Sequence, residues 1–133
     1  MNLEARCDAI EACYEFMLAY AAQGLPSDEG SKSGTQVREF LKRAVEALGG
    51  LAESCAAAMS NDRLPAFLTV LDRDARDSLA AMELVLAQPS ISSQLIDNLN
   101  ASMHLRALLT DVFLLGEVLQ TQPATAKFVS PSA

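Results

Sequence analysis

Tryptophan is absent from this sequence, and aromatic residues make up only 5% of its 133 residues. Half of the residues are nonetheless apolar, so the core must be built mainly from leucine, alanine, valine and methionine. This composition favours helices over sheets, because strands are enriched in aromatic and β-branched side chains. No stretch alternates apolar and polar residues between glycine turns. The sequence therefore predicts an all-α fold, and its length fits a single domain.

Cysteine is also scarce, and its arrangement gives no sign of a disulfide framework. Cys7, Cys13 and Cys55 are odd in number and form no Cys-x-x-Cys pair. The N-terminal segment MNLEARCDAIEAC carries acidic residues where a signal peptide would be basic and then apolar. We therefore expect a cytoplasmic protein with reduced thiols, and Cys7 and Cys55 are expected to be buried as small apolar side chains on helical faces.

The sequence has few basic residues and no long apolar run. The chain has 10 basic and 17 acidic residues, giving a net charge of -7, which opposes binding to phosphate backbones and anionic lipids. The uninterrupted run VFLLG is far shorter than the roughly 20 residues of a membrane-spanning helix. Arg106, Asp111 and Glu117 interrupt any extension of that run. Neither nucleic acid nor a membrane is an expected partner.

Four segments carry apolar residues at the spacing of three and four that places them on one helical face. The expected helices cover residues 2–23, 35–59, 62–87 and 91–120. A polar loop rich in serine and glycine at 25–34 is expected to be mobile, and Gly49–Gly50 predicts a bend within the second helix. We predict an antiparallel four-helix bundle over residues 1–120, followed by a flexible tail at 121–133.

One charge pair is predicted inside this bundle. On a helical wheel of about 100° per residue, Arg106 falls within the apolar face of the fourth helix, and Asp74 at the edge of that of the third. Both lie 16 residues from Ser90, near the expected hairpin tip, so they should face each other. We predict a buried Asp74–Arg106 salt bridge that fixes helix register. Alternatively, Arg106 holds an anionic ligand in a small pocket bordered by Tyr14 and Tyr20.

His104 is the only histidine, and three readings of it are open: an exposed residue, a metal ligand or a phosphate acceptor. Asp97 and Asp111 lie about 10 Å along the helix axis on either side, too far to share one metal ion with it. Histidine phosphotransfer domains carry Lys and Gly three and four residues after their histidine, where this sequence has Ala107 and Leu108. Since glycine-rich phosphate loops and HExxH motifs are also missing, no catalytic site, metal or cofactor is predicted.

The fourth helix carries a second apolar stripe, formed by Leu108, Val112, Leu115 and Leu119. One helix of a bundle has one inward stripe to bury, so the second stripe needs another surface. Three surfaces could cover the second stripe. The first belongs to this chain itself, as a wide core or the tail residues Phe128 and Val129. The second is another copy of the chain, and the third is a different protein. We expect a homodimer through the fourth helix, because twofold dimers are the commonest oligomers.

Two classes of function follow from these features. The first is a non-enzymatic accessory, adaptor or chaperone-like protein that acts through protein–protein contacts. Its support is the acidic balance, the lack of catalytic motifs and the surplus apolar surface. The second is a small-ligand sensor or enzyme that holds an anionic ligand near Arg106, with the 25–34 loop as a lid.

Overall fold

The computed structural model describes residues 1–60 and 62–121. Within these ranges the chain forms helices and no strand, which confirms the all-α prediction. The helices are α1 (Leu3–Ala22), α2 (Lys32–Leu48), α3 (Leu51–Ala58), α4 (Leu64–Leu86), α5 (Ser93–Ala101) and α6 (Met103–Gln120). The predicted tail lies outside the described residues, apart from Thr121.

Two of the four predicted helices are each divided in two, which corrects the expected number. The second predicted helix ends at Leu48 and a new helix begins at Leu51, so Gly49–Gly50 interrupts the helix rather than bending it. The fourth helix is interrupted at Ser102, where the sequence analysis predicted no break. Ser102 has an extended backbone, and its hydroxyl accepts a hydrogen bond from the Leu105 backbone N–H. The hydroxyl thereby satisfies an otherwise unpaired donor at the start of α6.

Arg6 of α1 lies against the break between α2 and α3. Its Nη1 donates hydrogen bonds to the Glu46 and Ala47 carbonyls, at 3.1 and 2.9 Å, near the end of α2. Its Nε donates to Ser54 Oγ of α3 at 2.8 Å. Since the last carbonyls of a helix lack partners within it, the guanidinium stabilises the end of α2 and ties both segments to α1.

The 25–34 loop, expected to be mobile, is fastened to the turn between α4 and α5. The Leu25 N–H donates to Ser93 Oγ at 2.9 Å, and the Ser93 N–H donates to the Leu25 carbonyl at 2.8 Å. Gly34, in the first turn of α2, lies directly beneath Asp28, and a Cβ at Gly34 would overlap the Asp28 backbone. These contacts make the loop part of the folded framework.

The core lies between α1 and its neighbours α2 and α5, and continues between α4 and α6. The three cysteines are buried and unpaired, which confirms the prediction for Cys7 and Cys55 and adds Cys13. Burial raises the pKa of the Cys7 thiol to about 11 and that of Cys13 to about 12. Among the described residues, no helix combines the length and the apolarity that crossing a membrane requires.

Candidate functional site

The apolar stripe predicted as an interface belongs to the core. Leu108, Val112 and Leu115 are at most 2% exposed, and Leu119 is half-buried. The prediction of an interface through these residues is therefore wrong, because α6 turns this face towards the rest of the chain. The large apolar side chains that α6 does expose are Met103, Phe113, Leu114 and Val118.

The predicted buried Asp74–Arg106 salt bridge is also absent from the described residues, because Arg106 is exposed. The helical wheel treated 91–120 as one continuous helix and carried the phase of α5 through Ser102. The break changes the rotation of α6, which moves Arg106 out of the apolar face and brings Asp111 into it. Asp74, half-buried on α4, lies within hydrogen-bonding reach of Asp111 instead.

The predicted pocket of Tyr14, Tyr20 and Arg106 is not assembled. Tyr20 is fully buried, and its hydroxyl donates a 2.8 Å hydrogen bond to the Ile91 carbonyl. Tyr14 is half-buried and packs against the core. Because Arg106 lies on the exposed face of α6, it does not enter the core that holds Tyr20.

A polar network that the sequence analysis missed joins the 25–34 loop to the α4–α5 turn. Arg38 Nε donates to Asp28 Oδ2 at 2.6 Å, and the Ile91 N–H donates to Asp28 Oδ1 at 2.6 Å. Arg38 also donates to the Leu86 and Gln88 carbonyls, at 3.2 and 2.9 Å. The hydrogen bond from Arg38 holds the pKa of Asp28 below its ordinary value. Since these groups bind one another and nearby backbone, the network is structural.

An apolar groove lies between α4 and α6. We call it the α4–α6 groove; its volume is about 250 Å³. It is lined by Met59, Arg63, Leu64, Phe67, Leu114, Leu115 and Val118. Leu115 is buried at the base, whereas Leu114 is 52% and Val118 38% exposed at the rim.

The local sequence explains why the groove is formed there. Pro65 occupies the first turn of α4, where its missing N–H breaks no helical hydrogen bond. Leu64 and Phe67 then lie three residues apart on one face of α4, and Leu114 and Val118 lie four apart on α6. The two helices run antiparallel, since Ser78 Oγ donates to the His104 carbonyl at the opposite end from the groove.

A carboxyl pair lies between the same two helices, close to one end of the groove. Asp111 is only 5% exposed and lies one helical turn before Leu115, and its Oδ2 is buried without a hydrogen-bond partner. Burial raises the pKa of Asp111 to about 7, with a further contribution from the adjacent Asp74 carboxyl. Two carboxylates this close do not both ionise readily, so the pair can hold one proton between its members.

Asp111 could have been noticed in the sequence. It lies three residues after Leu108 and four before Leu115, which places an acid within the apolar stripe itself. From the sequence, Asp111 was interpreted as a charge that interrupts the apolar run and as a neighbour of His104. The sequence did not show that Asp74 lies next to Asp111, because the two residues belong to different helices.

His104 is exposed and belongs to neither the groove nor the carboxyl pair. Its Nδ1 lies 3.9 Å from Asp77 Oδ2, and both side chains are about half exposed. Across the part of the chain that the structure describes, acidic, histidine and cysteine side chains form no cluster able to hold a metal ion.

The geometry offers an apolar binding surface with an ionisable pair beside it. The α4–α6 groove exposes leucine and valine side chains to solvent. Such a groove presents apolar side chains that a ligand can contact. No protein-family model, curated protein or solved structure matches this chain.

Proposed function

We propose that this protein is a non-enzymatic accessory or adaptor protein that binds an amphipathic segment of another protein in the α4–α6 groove. The observation that carries the proposal is the groove itself, whose rim exposes Leu114 and Val118 beside the partly buried Phe67. Exposed apolar clusters on soluble proteins commonly mark interaction sites. Phe113, which is 52% exposed, extends the apolar surface beyond the rim of the groove.

The shape of the groove favours a helical ligand. It lies between two antiparallel helices and is lined on both sides by side chains three or four residues apart. An amphipathic helix presents its own apolar side chains at this same spacing, so they can insert between those of α4 and α6. The partner would therefore carry leucine-like residues at positions i, i+3 or i+4, and i+7.

The charge of the chain favours a basic partner. With 17 acidic and 10 basic residues, each molecule carries a net charge of -7. This charge attracts a segment with lysine or arginine beside its apolar face and repels a second copy of the chain. The homodimer predicted from the sequence relied on the stripe of Leu108, Val112 and Leu115, which is buried. We therefore propose a different protein as the partner, with self-association as an outcome to be tested.

The setting of this function is part of the proposal. Three buried, unpaired thiols suit a reducing cytoplasm. The scaffold is best regarded as a four-helix bundle in which α2–α3 and α5–α6 are two interrupted long helices. The alternative of an anionic ligand at Arg106 gains no support, since that side chain is exposed rather than enclosed.

A direct test uses two designed peptides of about 18 residues, which is five helical turns. Both have one leucine face; one has lysine on its polar face and the other glutamate. Fluorescence anisotropy of the labelled peptides should show saturable binding of the lysine peptide and much weaker binding of the glutamate peptide. Absence of binding by both peptides would contradict the proposal.

Matched variants locate the binding site. Leu114→Glu places a charge at the groove rim, whereas Leu84→Glu makes the same change at a 66% exposed leucine of α4 outside the groove. Both sites are exposed, so neither variant should unfold. We expect Leu114→Glu to weaken peptide binding at least about tenfold, as a buried charge in an apolar contact does, and Leu84→Glu to leave it unchanged. If light scattering instead finds a dimer that Leu114→Glu dissociates, the groove is a self-association surface.

A further inference from the structure

The Asp74–Asp111 pair has no role in the binding function proposed so far, although it lies between the same two helices as the groove. Asp111 precedes Leu114 and Leu115 of the groove by three and four residues, so the three share one edge of α6. Asp74 lies two helical turns beyond Phe67 on α4. Any change in the spacing of α4 and α6 at the pair is therefore transmitted directly to the groove.

The surroundings of Asp111 do not neutralise a second negative charge. Asp74 faces it from α4, where Arg73 and Arg76 are exposed and Arg76 is paired with Asp72 at 2.8 Å. The other charged groups nearby are also exposed to solvent: Asp77 on α4, Asp97 on α5, and His104, Arg106 and Glu117 on α6. If both carboxyls ionise, the negative charge on Asp111 is therefore buried without a hydrogen bond or cation to stabilise its Oδ2.

We propose that the Asp74–Asp111 pair is a proton-dependent switch that controls the α4–α6 groove. With one proton shared between the carboxyls, a hydrogen bond joins α4 to α6 beside the groove. When that proton is released to solvent, the two carboxylates repel each other, the helices separate locally and the groove widens. The control of binding rests on the proposed function, whereas the movement of α6 is a property of the free protein.

The two consequences of ionisation act on binding in the same direction. A wider groove admits the apolar side chains of a partner more readily, and an exposed pair of carboxylates attracts the basic flank of that partner. Binding then releases one proton, so affinity should increase by up to about tenfold for each unit of pH below the midpoint of the switch. Since burial raises the pKa of Asp111 to about 7, this change falls near neutral pH.

The first experiment examines the free protein by hydrogen–deuterium exchange at pH 6 and pH 8, corrected for the intrinsic effect of pH on exchange. We expect amides of α6 after Asp111 to lose protection at pH 8 in the wild type. Asp111→Asn keeps a hydrogen-bond donor without the charge and should be protected at both pH values. Asp74→Asn tests the same pair from its half-buried side if Asp111→Asn folds poorly.

Two variants serve as controls. Asp77→Asn removes a carboxylate one turn from Asp74, and His104→Gln removes the imidazole, a type of group that changes charge near neutral pH. Both should exchange and bind as the wild type does. If His104→Gln abolished the pH dependence, or if wild-type α6 were equally protected at both pH values, the switch would be refuted.

The second experiment measures binding of the leucine–lysine peptide, with blocked termini, at the same two pH values. We expect wild-type affinity to rise about tenfold from pH 6 to pH 8 and that of Asp111→Asn to stay constant. Binding that is equally tight at both pH values would overturn control of the groove while leaving the proposed function intact. Loss of protection without any peptide binding would support the switch in α6 and reject the proposed function.

Discussion

Replacing Asp111 with asparagine should stabilise the fold at alkaline pH. The pKa of Asp111 is raised from 3.8 to about 7, and a shift of about three units corresponds to roughly 4 kcal/mol between the charged and neutral states. This is an upper bound on the gain, because helices that move apart admit water to the ionised pair. We expect Asp111→Asn to increase the free energy of unfolding by about 2 kcal/mol at pH 8.

The sign of the pH dependence follows from proton binding. Between the ordinary pKa of an aspartate and the raised native value, the folded state binds more protons than the unfolded state. The contribution of Asp111 to stability is therefore complete below about pH 4, decreases as the pH rises towards 7, and is lost above that. Asp111→Asn has no such group, so its advantage over the wild type should grow across this interval and vanish near pH 4.

Urea unfolding followed by circular dichroism at several pH values between 4 and 9 measures this difference. The slope of the unfolding free energy against denaturant shows whether the two proteins expose similar surface on unfolding. Asp77→Asn, at an exposed aspartate of the same helix as Asp74, is the matched control and should follow the wild-type curve. Parallel curves for the wild type and Asp111→Asn would refute the assignment of a shared proton to this pair.

Three further predictions concern the framework. Arg38→Ala leaves the Asp28 carboxylate without its ion-pair partner and should lower the free energy of unfolding by about 3 kcal/mol. Because Arg38 lowers the pKa of Asp28, this loss should shrink as the pH falls through that pKa. A loss that is constant with pH would argue against the pair. Gly34→Ala should destabilise the protein by about 2 kcal/mol or more, since a Cβ there overlaps the Asp28 backbone. Gly116→Ala, in open space on α6, should instead stabilise it by about 0.5–1 kcal/mol. Equal effects of the two variants in thermal melts would contradict this contrast. The three buried thiols should react slowly with a disulfide reagent such as DTNB in native protein and rapidly in denaturant, because burial raises their pKa values; fast native reaction would show that they are accessible.

The helices with local signals at both ends were predicted to within about two residues. Helix α1, expected at 2–23, begins after Asn2, whose Oδ1 accepts from the Ala5 N–H at 2.8 Å. Gly24, with φ +65°, follows its end, where glycine is common because it adopts positive φ without strain. Helix α4, expected at 62–87, has Pro65 in its first turn. Such signals act within a few residues, so the sequence displays them.

The break at Ser102 was missed because serine is compatible with both a continuing helix and an N-cap. A serine hydroxyl can accept a backbone N–H in place of a helical carbonyl. In the folded chain, where α5 packs against α1 and α6 against α4, the Ser102 hydroxyl accepts the Leu105 N–H and the helix is interrupted. One undetected break was enough to misplace Arg106 and to assign the buried leucine stripe to a partner. The error was one of rotation about the helix axis: the helices were placed, but the wrong face of α6 was assigned to the core.

By itself, the sequence determined that this protein is all-α, where α1 and α4 begin and end, and that Cys7 and Cys55 are buried. These properties depend on composition and on residues close together in the chain. Only the tertiary structure decided which face of α6 is buried, that Asp111 meets Asp74, and that Leu114 and Val118 border a groove. Each of these contacts joins residues from different helices, and their positions depend on how the helices rotate and pack around the core.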